Sequence, residues 1–334
     1  MRVKRDIGGV LLLVILVGGG LAFWQFHQAD QRDLVRESDL ATLQSRLQPA
    51  ATANTLPAAL PPDLPTPSQT NHPYIYKVDR KTFLVCTTFE RRHSGEALFV
   101  TQSGRFYAER KYCQQPLEPR IAGIVTAAGL TPAAIKPFLE NSPQLADGTT
   151  VKRECQLGSA GEVLFGCYLG DQRKIWILDV SDPSLANVNI ATAMHELMHA
   201  LEATDPPPAD QLEAEAARLA DPGLDQELSL YTNEERTSEL AARIGTQFTD
   251  LPKGLTDYYG RYFNQPAVAA AYRPYGILVN QVTRLQSQLE SDRQALDRLK
   301  AAGRISEYNA RVDAYNDQVE RYNALAARYN LAGQ

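Results

Sequence analysis

Two histidines stand four positions apart with a glutamate directly after the first: His195-Glu196-Leu197-Met198-His199. On a helix, residues four apart share a face, about 5–6 Å apart at Cβ, so both imidazoles can reach one metal ion. Glu196, one position from His195, flanks that ion without occupying it and is placed to act on a water at the metal. Metal-assisted hydrolysis is the chemistry these residues imply. Zinc, one ion per chain, is the expected cofactor, and Glu196 the expected catalytic base. The chain has five histidines in all, so this spacing is seldom met by chance.

The motif must sit on a helix, and residues 189–202 contain no Gly or Pro. Ile190, Met194, Leu197 and Leu201 recur at three- and four-residue spacing, which buries one side and fixes the histidines beside it. Asp205-Pro206-Pro207-Pro208 ends the run. Just upstream, residues 174–180 (Lys-Ile-Trp-Ile-Leu-Asp-Val) read as a strand, as do residues 163–168, 74–89 and 97–107. Residues 121–140 read as helical, with a fresh start at Thr131-Pro132.

At 334 residues, 44% hydrophobic and 22% charged, the chain can bury a substantial core. A net charge of −5 and no local basic patch argue against a nucleic-acid partner. The N-terminus carries Arg2, Lys4 and Arg5 ahead of an almost uncharged apolar stretch over residues 7–26. This has the length of one membrane span, about 20 residues, with the N-terminus in the cytoplasm and the main domain extracytoplasmic. Gly20-Leu21-Ala22 leaves a cleaved signal peptide and secretion as the alternative. Residues 29–47 have helical composition, and residues 49–73 are dense in Pro, Ala and Thr, as in a tether.

Export gives the four cysteines a structural meaning as two disulfides. Cys155 and Cys167 flank Gly158-Ser159-Ala160-Gly161, which reads as a hairpin turn, leaving Cys86 to pair with Cys113; the other pairings stay open. From residue 277 to the end the chain is helical in character. Gly303 breaks it into two helices, the second with a strict seven-residue Tyr-Asn repeat at 308–309, 315–316, 322–323 and 329–330. An antiparallel helical hairpin follows, with a stripe that packs on its own chain or serves a partner or self-association.

Around the histidines the sequence resembles the zincin superfamily of metallopeptidases, in layout over residues 74–263 and specifically in the motif. The resemblance implies an edge strand before the active-site helix that pairs with extended substrate, for which residues 174–180 match by position. A metzincin continuation is absent, since Glu202 and Asp205 stand where Gly and the last ligand would be. The gluzincin branch takes its third ligand from a later helix, and residues 232–242 look like that segment. There Glu235 matches the ligand, Ser238 the small residue and Glu239 the acid that orients a ligand histidine, with Ala242 completing the pattern. Thr232 and Glu235 also fit a capping box, and on that reading Glu239 becomes the ligand, with Glu234 and Asp205 as further alternatives. Family members usually add an oxyanion-stabilising Tyr, His or Arg; Tyr258, Tyr259, Arg261 and Tyr262 are the candidates.

The expected protein is therefore α+β: a zincin-like metallopeptidase domain over residues 74–276, with a mixed sheet and active-site helices. A transmembrane signal anchor (1–27) and a helical stalk and Pro-rich linker (28–73) precede it, and the helical hairpin (277–334) follows. Its expected activity is hydrolysis of peptide bonds in a protein or peptide substrate. The alternative is an inactive zincin-like scaffold that engages an envelope partner through the hairpin.

Overall fold

The computed structural model describes residues 6–60, 74–79, 81–91, 95–115, 117–155, 165–180, 182–221, 224–225, 228–229 and 231–332, with the side chains of residues 6–25, 233–234 and 329–332 outside that description. The chain divides into two units, residues 1–126 and 127–334.

In the first unit, helix α1 (Asp6–Thr52) lies on a four-stranded antiparallel sheet, β1 (Ile75–Asp79), β2 (Thr82–Thr88), β3 (Glu96–Thr101) and β4 (Gly104–Glu109), in sequential order. Leu40, Leu43, Leu47 and Ala51 recur every three or four residues and form the buried stripe of α1. They meet Phe83, Val85, Leu98 and Val100 on one sheet face, where alternate strand positions point the same way. The end of β2 is tied down through Asp33 of α1, which accepts the Glu90 and Arg91 backbone N–H groups at 3.0 Å each. Arg32 and Arg36 close on Glu90 and hold its carboxyl down at about 2. Cys86 on β2 pairs at disulfide distance with Cys113 on the short helix α2 (Lys111–Gln114), and α3 (Pro119–Ala127) leads into the second unit.

The second unit begins with α4 (Pro132–Glu140), β5 (Gln144–Ala146) and α5 (Gly148–Glu154). Strands β6 (Gly166–Leu169) and β7 (Lys174–Leu178) follow, then α6 (Val188–Glu202) and α7 (Ala209–Leu219). Next come α8 (Asn233–Gln247), α9 (Lys253–Gly260), α10 (Gln265–Ala301) and α11 (Ile305–Ala332). Its small sheet runs β5-β7-β6, parallel between β5 and β7 and antiparallel between β7 and β6. Cys155, at the end of α5, pairs at disulfide distance with Cys167 of β6; the turn expected between them lies outside the described residues. Helix α6 covers β6 and β7, and α8 and α10 pack on α6. The first third of α10 belongs to this core, with Val268, Ala269, Tyr275 and Leu278 buried, before the helix pairs with α11. Gly303, at φ +68°, makes the left-handed turn between them. The repeat tyrosines Tyr308, Tyr315 and Tyr322 are half-buried on α11, as are Val312 and Val319.

Two expectations are corrected. The α+β reading, with one mixed sheet, gives way to a mostly helical chain with two small sheets in separate units. The three-residue β5 and four-residue β6 are too short to make a broad sheet, and helices surround them. Nor is the N-terminal transmembrane helix supported, and with it the single-pass membrane location: among the described residues no helix is long and apolar enough to cross a membrane. Helix α1 continues unbroken to Thr52, and its described half is polar with one stripe buried against a protein sheet. Most of the apolar run at residues 7–26 lies outside the described side chains. The two disulfides still point to an oxidising compartment.

Candidate metal centre

Helix α6 turns Ala191, Met194, Leu197, Met198 and Leu201 into the core, at the spacing of one helical face. His195 and His199 lie at the margin of that face, with side chains 19% and 22% exposed, and Glu196 is buried. Their ring centroids are 4.9 Å apart, and the two Nε2 atoms approach to 3.2 Å.

Helix α8 supplies the third member. Glu239 is buried, and its Oε2 lies 3.5 Å from each histidine Nε2. The donor atoms of His195, His199 and Glu239 all fall within 4.8 Å of one another. Donors about 2.0–2.1 Å from a tetrahedral ion are separated by roughly 3.3 Å, so these spacings suit a single small cation. The other carboxylate oxygen of Glu239 takes a hydrogen bond from Arg243 Nε, one helical turn further along α8. Burial pushes the Glu239 carboxyl up, but the two imidazoles and the Arg243 guanidinium outweigh it and hold it far below the usual carboxylate range.

Glu235, expected from the gluzincin resemblance as the third ligand, stands elsewhere. It is exposed at the start of α8, where its carboxylate accepts the Thr232 backbone N–H at 3.2 Å while Thr232 Oγ1 accepts the Glu235 N–H. This is a capping box, which satisfies the open end of the helix. The four residues from Glu235 to Glu239 carry α8 one turn inward, and that turn decides which carboxylate meets α6. Asp205 is also engaged elsewhere: Tyr262 donates to it, and Arg261 Nη1 lies 2.7 Å from it. The Glu234 side chain lies outside the described residues. Tyr258 donates to the Asp205 carbonyl and Tyr259 to that of Ala241, so both hydroxyls are committed to backbone.

Glu196 faces β6, and the nearby Tyr168 backbone N–H favours its ionised form. Burial raises its pKa, Glu239 adds to the rise, and the histidines oppose it. Burial pushes the His199 imidazole down, but Glu239, Glu196 and Glu202 prevail and its pKa is raised. Gly166 lets β6 run this close. A Cβ there would stand 2.5 Å from the Trp176 carbonyl oxygen, 2.7 Å from Thr192 Cγ2 and 3.4 Å from Glu196 Oε1. The strand expected at an edge, residues 174–180, is β7 and lies in the middle of the sheet, with β6 at an edge among the described residues.

Sequence reasoning missed Gly166, Arg243 and Glu202. Glu202 had a signal, since it follows His199 by three positions on the same helical face. The arrangement can hold one cation with two imidazoles and a carboxylate, beside a second, buried carboxylate. No protein-family model, curated protein or solved structure matches the chain.

Proposed function

We propose that the chain is a zinc-dependent peptidase, with His195, His199 and Glu239 holding the metal and Glu196 as the catalytic base. The observation that carries this reading is the convergence of those three donor atoms within 4.8 Å, with the buried Glu196 carboxylate alongside. Two nitrogens and one carboxylate oxygen suit zinc, and a group of three leaves a fourth position for water or substrate, as in catalytic sites; closed structural sites use four protein ligands. When bound, zinc supplies Lewis acidity, bringing the pKa of a water toward about 7 and polarising a carbonyl.

The chain's own residues do the rest. Glu196, buried and one position from His195, takes a proton from the attacking water and returns it to the departing amine. Among the described residues strand β6 is at an edge of its sheet beside Glu196, where main-chain groups would pair with an extended peptide in the manner of strand addition.

The test is Glu196→Gln in the full chain, with zinc content measured and cleavage of a mixed peptide pool followed by mass spectrometry. The expected result is one zinc per chain in both proteins, with cleavage in the wild type and at least a hundredfold loss in the variant. Equal cleavage by the two proteins, or a wild type that takes up no zinc, overturns the proposal.

A further inference from the structure

The surroundings of His199 Nδ1 carry one more assignment, which rests on the metal-site reading above. Ser238 Oγ lies 2.8 Å from His199 Nδ1 and donates its own hydrogen to Glu202 Oε2 at 2.6 Å. A hydroxyl has one hydrogen. With that hydrogen given to a carboxylate, Ser238 Oγ has only lone pairs to offer the imidazole, so the hydrogen between them belongs to His199 Nδ1. The neutral ring then carries its lone pair on Nε2, the atom that lies 3.2 Å from His195 Nε2 and 3.5 Å from Glu239 Oε2.

We infer that Ser238 and Glu202 are positioning residues for the metal centre, a hydroxyl–carboxylate relay that fixes the His199 tautomer and ring orientation needed for binding through Nε2. The relay is built from both helices. Glu202 lies three residues after His199 on α6, and Ser238 lies directly before Glu239 on α8. The same crossing that delivers the Glu239 carboxylate therefore delivers the hydroxyl that orients His199. Partners on the far nitrogen of a ligand histidine set its tautomer and raise its basicity, and their loss weakens metal binding by about 10- to 100-fold. The resemblance to gluzincins put an orienting acid at Glu239; with Glu239 among the donor atoms, Glu202 takes that role through Ser238.

The experiment measures zinc affinity of the full chain by competition with a chromogenic chelator for wild type, Ser238→Ala, Ser238→Thr, Glu202→Ala and the Ser238→Ala/Glu202→Ala pair. Nitrogen NMR of the histidine side chains is recorded on each metal-free protein at a pH high enough for His199 to be neutral, with thermal melting as a check on folding. Ser238→Ala is expected to bind zinc about 10- to 100-fold more weakly and to lose the single Nδ1–H tautomer of His199. Ser238→Thr, which keeps the hydroxyl, should restore affinity to within about threefold, and removing Glu202 in the Ser238→Ala background should add less than about threefold. Wild-type affinity and an unchanged tautomer in Ser238→Ala overturn the relay, as does full additivity of the pair. A wild type that takes up no zinc defeats the metal-site reading itself. In that case the tautomer still reports separately whether Ser238 sets the His199 proton.

Discussion

Replacing Glu235 and Glu239 of α8 in turn separates a proposed metal ligand from a helix cap. Glu239→Gln keeps the volume of a buried side chain but weakens a donor that sits 3.5 Å from both histidine nitrogens, and Glu239→Ala removes it. Four-ligand zinc sites bind with roughly 10–16 kcal/mol, so one ligand of such a set is worth about 2.5–4 kcal/mol. At about 1.4 kcal/mol per decade, Glu239→Ala should weaken zinc binding by about two to three orders of magnitude. Glu235→Ala removes one half of an exposed capping box, which costs about 0.5–2 kcal/mol of helix stability and should leave zinc affinity within about twofold. Chelator competition gives the affinities, and circular dichroism confirms that α8 is still formed. If Glu235→Ala loses the metal and Glu239→Ala retains it, the placement of α8 against α6 described above is refuted.

Gly166→Ala should push β6 away from the Trp176 carbonyl and Thr192, at a cost of about 1–3 kcal/mol, and lower the melting temperature by roughly 3–10 °C; an unchanged Tm would refute the close approach of β6 to α6. In the first unit, the Glu90 carboxyl is depressed to about 2 by its hydrogen bonds and charge pairing with Arg32 and Arg36, so its contribution to stability is complete above the unfolded value near 4.3 and is lost as pH falls toward 2. Glu90→Gln should flatten that acid limb in melts recorded from pH 5 to 2. A limb of the same slope would show that the ion pairs do not link folding to protonation.

The residues of α6 were legible because a helix converts spacing into position. His195 and His199 needed nothing beyond the 3.6-residue period to share one face, with Glu196 flanking them. The choice between Glu235 and Glu239 was not legible, because both lie on the same face of α8 and the height at which α8 crosses α6 is set by packing remote from either. The capping signature at Thr232 was the local clue, and it pointed correctly to what Glu235 does. The stripe of Leu40, Leu43 and Leu47 was also present in the sequence, but it lay in a stretch whose mixed charges gave it the character of a stalk; its role depends on a sheet that begins at Ile75. Residues 174–180 were placed at an edge by the resemblance alone, and nothing in the sequence opposed it, because β5, the parallel neighbour of β7, is three residues long, too short for any periodicity to reveal.

The division of the donor set between two helices has a thermodynamic side. His195 and His199 ride on α6 and Glu239 on α8, so the three come together only while the two helices stay crossed. A cation gripping all three would rivet segments far apart in the chain, and because the unfolded chain offers no such grip, mass action would add about 2.7 kcal/mol to folding at a hundredfold excess over Kd. The heat resistance of this unit would then be a gauge of how much of the ion its surroundings supply.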